Sequence, residues 1–388
     1  MIYLDHHATT PIADEVVAAM AEALQHLSGN PGSVHAAGRA ARTAIDQARR
    51  QVARLVGSRE REVVFTSGGT EANNLALRSG FAAQVAKGRA RIISSTVEHP
   101  SVLNTLADLE RQGAQVVRVG VSSDGALDER AFEEALDDQV GVVSLMWANN
   151  ETGVVFPIER LGAQARAAGA LVHVDAIQWV GKVATDFEAA PIDLMSVSAH
   201  KFQGPKGVGA LIVRKGLELA PAQTGGNQER GLRSGTENTA GIVGFGVAAE
   251  RAHEVLLSNE GRLSTLRDRF ERRVLEQVEG ARVNGATQPR LPTVTNLEFD
   301  ALEGEAALLA LDMRGICASS GSACASGSLE PSHVLLAMGR SAEQAHGSLR
   351  FSLGPEITEE ALDQVVAVLA EQIPNLRSLL QFEAGATW

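Results

Sequence analysis

Short apolar runs punctuate the middle of the chain. Glu62–Thr66, Arg91–Ser95, Val116–Val119, Val142–Trp147, Leu171–Asp175, Leu194–Ser198 and Gly209–Val213 are mostly apolar without strict alternation. Runs of this kind predict strands buried on both faces, as in a parallel sheet. Between several of them apolar residues recur at helical spacing, at Ile45, Ala48, Val52, Leu55 and Val56 and again at Leu103, Leu106 and Leu109. The alternation predicts an α/β fold, a doubly wound domain around a mainly parallel seven-stranded sheet. After Gly235 the texture changes. Thr236 to about Val278 predicts a long charged helix, followed by a strand at Val294–Phe299, a helix at Glu303–Arg314, a strand at Leu349–Leu353 and a final helix from about Thr358. This second part predicts a smaller α+β domain joined to the first by the long helix. The short strand after Met1 fits either part.

Composition narrows the class. The 388 residues are 44% apolar, which excludes a disordered or merely solvating chain, and the net charge of −12 argues against a general nucleic-acid binder. Two cysteines cannot staple a chain of this size, so they point to a reducing compartment and to chemistry or burial. Glycine, with 38 residues, fits many tight strand-to-helix turns. Neither a signal segment nor a membrane-length apolar run is visible, so a soluble cytoplasmic protein is expected.

Candidate chemistry gathers just after the strands, where α/β sheets bind ligands. In Ser198-Ala-His200-Lys201-Phe-Gln-Gly204-Pro205-Lys206-Gly207 a lysine lies in the turn that follows a strand. Lysine is a useful nucleophile when its pKa is depressed or when it is tied as an imine, and a solvent-facing loop lysine is the plain alternative. In His173-Val-Asp175-Ala-Ile-Gln178, Asp175 closes another strand. An Asp/Lys pair on nearby strand ends is what pyridoxal phosphate requires: the lysine holds the aldehyde and the aspartate keeps the pyridine nitrogen protonated. Helix capping is the alternative role for Asp175. Thr66-Ser67-Gly68-Gly69-Thr70-Glu71-Ala72-Asn73 runs from strand through small residues into helix, which makes a phosphate site from backbone N–H groups or an ordinary capped helix. Val97-Glu98-His99-Pro100 puts a histidine where it could stack on a planar cofactor and move protons. Trp147-Ala-Asn149-Asn150-Glu151-Thr-Gly offers Asn150 as a hydrogen-bonding group or as turn chemistry.

The run Ser319-Ser-Gly-Ser-Ala-Cys324-Ala-Ser-Gly-Ser328 contains no side chain that can anchor a core. A mobile loop over 319–331 with an accessible thiol at Cys324 is expected, while Cys317 reads as a small core residue. The spacing of the two cysteines is not a zinc pattern. Arg350, inside a strand, is either a bidentate carboxylate partner or half of a structural ion pair.

Together these motifs resemble the cysteine desulfurases, fold-type-I pyridoxal-phosphate enzymes of the class V aminotransferase superfamily. The strings YLDHHATTP, SGGTEANN, EHPSV, NNETG, HVDAIQ, SAHKFQGPKG, QERGLRSGTEN and SSGSACASGSLEPSHV carry the resemblance over nearly the whole chain. WANNETG, GTENTAG and LEPSHV are most similar to the nitrogen-fixation type within the group that serves iron–sulfur assembly. The resemblance implies a large domain at 13–255 and a small one made of 1–12 and 256–388. It implies that Lys201 carries the cofactor, Asp175 pairs with the pyridine nitrogen, and Gln178 and Asn150 approach the ring hydroxyl. His99 would stack on the ring and transfer protons. Gly69, Thr70, Ser198 and His200 would hold the phosphate, with Thr236 reaching the phosphate of the other subunit of a homodimer. Arg350 and Asn150 would fix the carboxylate of L-cysteine.

Cys324 would take the sulfur as a persulfide, leave L-alanine, and pass the sulfur to an iron–sulfur scaffold or another acceptor protein. Contact between Cys324 and a nascent metal cluster would run only through that persulfide. A selenocysteine lyase or aminotransferase of the same fold, or a non-catalytic sulfur-carrier platform, remains open, because fold alone does not fix function. Asn227 stands where a histidine is commoner in the family, and His6-His7 where Asn or Tyr-Ser is more usual. Charge is uneven: from Glu356 onward there are six acids and one base, a solvated helix face or a docking surface for a basic partner.

Overall fold

The computed structural model describes residues 1–258, 261–320 and 330–385, with side chains described except at 258 and from 380 onward. The N-terminal strand β1 (Ile2–Tyr3) stands apart from the large sheet. The apolar runs become β2 (Val63–Thr66), β3 (Arg91–Ser95), β4 (Gln115–Val119), β5 (Val140–Met146), β6 (Leu171–Asp175), β7 (Leu194–Ser198) and β8 (Gly209–Val213). They join in the order β2-β8-β7-β6-β5-β3-β4. Only β8 runs against its neighbours; the other pairings are parallel. Alternate residues of these strands serve opposite faces, and both faces are apolar. Ile93 and Val143 belong to one buried cluster, and Ile92 and Val142 to another.

Helices α1 (Asp14–His26), α2 (Ala36–Val56), α3 (Gly69–Val85), α4 (Pro100–Arg111), α5 (Glu129–Ala135), α6 (Ile158–Ala167) and α7 (Thr239–Ser258) flank the sheet. The first face is covered by Val52 of α2, Phe132 of α5, Leu161 of α6 and Phe245 of α7. The second is covered by Leu75 and Leu77 of α3 and Leu106 of α4.

The outer edge of β2 is covered by side chains. Phe65 N donates to Glu229 Oε2 at 2.9 Å, and Val63 O accepts from Arg49 Nη1 at 2.7 Å and Arg230 Nη2 at 2.8 Å. Glu229 also takes Arg49 through both carboxylate oxygens, at 2.7 and 2.8 Å. The turn that aims these groups holds Glu229 and Arg230 at φ +46° and +59°, left-handed values costly for residues with a Cβ. An open strand edge is a template for mispairing, and these side chains close it.

Where the sequence predicts one long helix over 236–278, there are two. α7 ends at Ser258, and α8 (Arg262–Gln277) starts after Gly261, whose φ of +77° no continuous right-handed helix contains. Beyond it lie β9 (Ala281–Val283), β10 (Val294–Phe299), α9 (Gly304–Asp312), β11 (Ile316–Cys317), β12 (Ser319–Ser320), α10 (His333–Ala337), α11 (Ala342–His346), β13 (Ser348–Ser352) and α12 (Glu359–Gly385). An antiparallel sheet in the order β12-β13-β10-β9 packs on α8, α9 and α12 around Phe270, Leu297, Phe351 and Val365. β1 pairs in parallel with β11, and Leu4 enters this second core. Cys317 is half-buried in β11.

The acidic C-terminal stretch is balanced within the chain. Glu356 pairs with Arg251, Glu359 with Arg269, Asp363 with Arg269 and Arg273, and Glu371 with Arg314. Four of its six acids are thereby committed, which weakens the docking-surface reading. Among the described residues no helix is long and apolar enough to cross a membrane.

Candidate active site

The strand directions bring five motifs to one edge of the large sheet. β2, β3, β5, β6 and β7 all run the same way. Their C-terminal ends deliver Gly69-Thr70, His99, Asn150, Asp175 and Lys201, and these residues line one cavity of about 200 Å³. Ser198, His200 and Gln178 line it as well.

Each side chain has a local cause. α3 begins at Gly69, directly after the strand, so its first backbone N–H groups face the cavity edge unpaired within the helix. Its N-cap, Gly68, has φ +153°, and a Cβ there would meet nothing within 4 Å. A second pocket adjoins this turn, lined by Ser67, Gly68, Thr70, His200 and Lys206. His99 is the N-cap of α4: its Nδ1 accepts from Ser101 N at 3.1 Å, which leaves the ring proton on Nε2 in the neutral form. Burial holds the imidazole below its ordinary pKa, with the Asp175 charge acting the other way.

Asp175 sits at the end of β6. Its Oδ1 accepts from Ile177 N at 3.0 Å and its Oδ2 from Asn73 Nδ2 at 2.7 Å. Asn73 is fully buried, and the same nitrogen lies 2.9 Å from Ser101 Oγ, which in turn is 2.8 Å from His99 Nδ1. A continuous hydrogen-bonded relay thus ties Asp175 to His99. Lys201 follows β7 in a tight turn, and its Nζ donates to the carbonyls of His7 at 2.6 Å and Ala8 at 2.9 Å. Gln178 Nε2 donates to the same His7 carbonyl at 2.9 Å. The His7 ring is held by Asn150 O and Thr293 Oγ1, and burial drives its pKa well down. His200 is pushed down to about 4 by burial and by the neighbouring Lys201 charge, and its Nδ1 meets Thr9 Oγ1 at 3.1 Å.

The residues present fit pyridoxal phosphate. Ser198 Oγ and Gln178 Oε1 are buried without a partner among the described residues, one beside the phosphate-type turn and one beside Asp175. Buried polar atoms left unpaired are costly, and a polar ligand would satisfy them. The carboxylate for the ring nitrogen, the amine for the aldehyde and the helix N-terminus for the phosphate share one space.

A scan of family models matches aminotransferase class V over residues 2–365. The chain belongs to that family. A cysteine desulfurase of Cereibacter sphaeroides is 50% identical over 385 residues, spanning 99% of this chain and 98% of that one. Cysteine desulfurase 2 of Trichormus variabilis is 47% identical over 382 residues, spanning 98% and 95%. Among solved structures, a NifS-like protein superposes with a TM-score of 0.88 at 35% identity, covering 98% of this chain and 99% of its own. SspA, solved in complex with cysteine, gives 0.81 at 35%, covering 92% and 100%. Class V aminotransferases use pyridoxal phosphate, the group that the cavity fits.

Two residues expected at the site do not line the cavity. Arg350 is almost fully buried beside the cavity, where Nη2 pairs with Asp5 Oδ1 at 2.8 Å and Nη1 donates to Asn150 O at 3.1 Å. Thr236 is exposed and does not line the cavity. Cys324 lies outside the described residues. Conversely, Asn73, Ser101 and the His7 and Ala8 carbonyls act in the site without having been singled out from sequence. Asn73 left a trace there, since an amide four residues after Gly69 shares its helix face. Backbone carbonyls leave none.

Proposed function

We propose that the chain is a pyridoxal-phosphate-dependent cysteine desulfurase that converts L-cysteine to L-alanine and takes the sulfur on Cys324. The observation that carries this reading is the meeting of Lys201, Asp175 and His99 in one cavity, with Asp175 and His99 joined by the Asn73–Ser101 relay. Relatives named cysteine desulfurase over the full length and a structural relative solved with cysteine support the substrate. When bound, the cofactor supplies an aldehyde for the amine and a ring that accepts electrons.

With the cofactor bound, Lys201 Nζ would hold that aldehyde and take the proton from the substrate Cα. The Asp175 carboxylate, fixed by Asn73, would keep the pyridine nitrogen protonated. His99 would lie against the ring and exchange protons through Nε2. Ser198 Oγ, His200 and the first N–H groups of α3 would hold the phosphate, and Gln178 and Asn150 would serve the ring hydroxyl. Arg350 takes the substrate carboxylate, exchanging its contact with Asp5. Cys324, as thiolate, attacks the substrate sulfur: the Cβ–S bond breaks, an S–S bond forms, Cβ gains a proton and Lys201 returns one to Cα. L-cysteine and a thiol thereby become L-alanine and a Cys324 persulfide. Persulfide is a reversible state, so the sulfur can pass to an iron–sulfur scaffold or another acceptor, and a reducing cytoplasm keeps the thiol ready.

Thr236, being exposed, is available to the phosphate of a second subunit, which makes the working form a homodimer. The large domain is 13–255 and the small domain 1–12 with 256–388. Ala13, Val16 and Ala252 in the first core, and Leu4 and Leu266 in the second, support those limits, while Val334, Leu335, Met338 and Ala345 of the later stretch pack into the first core.

The test is incubation of the purified protein with L-cysteine and dithiothreitol, measuring alanine and sulfide, beside Cys324→Ala. The variant is expected to keep the cofactor absorbance and to lose nearly all sulfide release. Undiminished sulfide from Cys324→Ala would overturn the reading.

A further inference from the structure

Two stretches quoted for their family resemblance, LEPSHV and the Glu-Thr-Gly end of NNETG, carry no role in the chemistry above. They meet in space. Ser332 Oγ donates to the Glu151 carboxylate and accepts from Leu335 N at 3.2 Å, capping α10. The next residue, His333, places Nε2 at 2.9 Å from Glu98 O; a carbonyl only accepts, so Nε2 carries the ring proton. Glu151 is 3% exposed and Glu98 is fully buried. Both follow strands that form the cofactor cavity: Glu98 precedes His99, and Glu151 follows Asn150. Burial pushes the Glu151 carboxyl up to about 7, so a solvated surface charge is not its role.

The other end of the same chain stretch is also tethered. Ser319 and Ser320 pair with Arg350 and Leu349 on β13. Arg350 Nη1 donates to Asn150 O. The two tethers therefore converge on consecutive residues of one turn, Asn150 through Arg350 and Glu151 through Ser332. The next buried anchor after Ser332 is Val334, so opening the clasp would add up to about 7 Å of slack.

We propose that Glu151, Ser332 and His333 form a positioning clasp that fixes the C-terminal tether of Cys324 against the Asn150 turn, so that the thiol meets the substrate sulfur. The clasp rests on the reading of Cys324 as sulfur acceptor. It touches neither Lys201 nor Asp175, and Glu151 reaches Arg350 only through its charge, so its direct contacts act on sulfur transfer.

The experiment mixes the holoenzyme rapidly with L-cysteine and reads two signals. One is the cofactor absorbance change on substrate binding; the other is persulfide on residue 324, by alkylation and mass measurement. Glu151→Ala and Ser332→Ala are expected to leave the absorbance rate at the wild-type value and to slow persulfide formation about tenfold or more, since small misplacements of a reacting group are costly. Glu151→Gln and Ser332→Thr, which keep an acceptor and a hydroxyl, are expected to restore most of the rate. They also serve if an alanine variant fails to fold, because persulfide formation slowed tenfold or more from wild type in both Glu151→Gln and Ser332→Thr overturns the clasp. So does wild-type persulfide formation in Glu151→Ala, or loss of both signals in step. Cys324→Ala run alongside separates the two ideas. Sulfide release that survives in it refutes the acceptor assignment itself, whereas an inert Cys324→Ala beside unaffected Glu151→Ala and Ser332→Ala refutes only the clasp.

Discussion

Replacing Glu229 by alanine strips three donors of their acceptor at once. Arg49 Nη1 and Nη2 and the Phe65 N–H all point at this carboxylate, and the Arg49 and Glu229 side chains are only 9% and 2% exposed. Arg49 keeps its bond to Val63 O and its position 4.7 Å over the Phe65 ring, but a guanidinium does not shed its proton, so a buried charge is left without its counter-ion. Breaking a buried pair this way costs about 3–5 kcal/mol. With a melting entropy of about 2.1 cal/mol/K per residue, 388 residues give about 0.8 kcal/mol/K, so a 4 kcal/mol loss lowers the melting midpoint by about 5 °C. The assay is calorimetry of the holoenzyme at one scan rate on wild type, Glu229→Ala, Arg49→Met and the double variant. The double variant should recover part of the loss, because it removes the stranded charge. A midpoint within 1 °C of wild type in Glu229→Ala, or a double variant that loses the sum of both single losses, would refute the reasoning.

Asn73→Ala should weaken cofactor retention about tenfold, since it removes a hydrogen bond to the Asp175 carboxylate worth about 1.5 kcal/mol or more and cuts the relay to His99; equilibrium dialysis against pyridoxal phosphate measures it, and unchanged affinity would show that the relay does not hold Asp175 for the ring. Acidification should destabilise the fold. Burial lowers His6 and His200 to about 4, His173 to about 3 and His7 well below its ordinary value, so between about pH 6.5 and 4.5 the unfolded chain binds protons that these four refuse. Glu98 and Glu151, raised to about 8 and about 7, work the other way in that window, because the folded chain keeps two protons that the unfolded chain releases. Burial lowers His99 and His333 as well, so four or more against two leaves at least about two protons, or about 2.7 kcal/mol or more lost per pH unit; a melting midpoint that stays level from pH 6.5 to 5 would contradict this balance.

The large sheet was legible because its strands carry apolar residues on both faces and stop at polar or glycine-rich turns. β3, β6, β7 and β8 begin and end where the apolar runs do. Lys201, Asp175 and His99 were legible because their chemistry depends on residue type and their place follows from strand ends. The break between α7 and α8 was not, since Gly261 sits in a charged run with helical composition and its left-handed φ is a property of the backbone. Asn73 meets Asp175 across 102 residues, and Asp363 meets Arg269 across 94. Pairings at such separation are set by how sheets and helices stack, and nothing in the local pattern announces them. The same holds for Lys201, whose amine is held by carbonyls that any residue at 7 and 8 would supply.

The placement of β1 has a consequence for the order in which the protein is made. Ile2 and Tyr3 find their partners at Ile316 and Cys317, Leu4 N bonds Cys317 O, and Ser352 N bonds Leu4 O. The carbonyls of His7 and Ala8, which grip Lys201, hang from this strand. Ile2 to Leu4 must therefore wait for a stretch synthesised more than 300 residues later, roughly 15–60 s at ordinary synthesis rates of about 5–20 residues per second. Through that interval the large sheet can assemble and Thr9 and Thr10 can dock on His200, but the β1 side of this segment stays unpaired. A nascent chain thus carries the catalytic amine before the small-domain side of its site is finished, which comes only with β11 and β13.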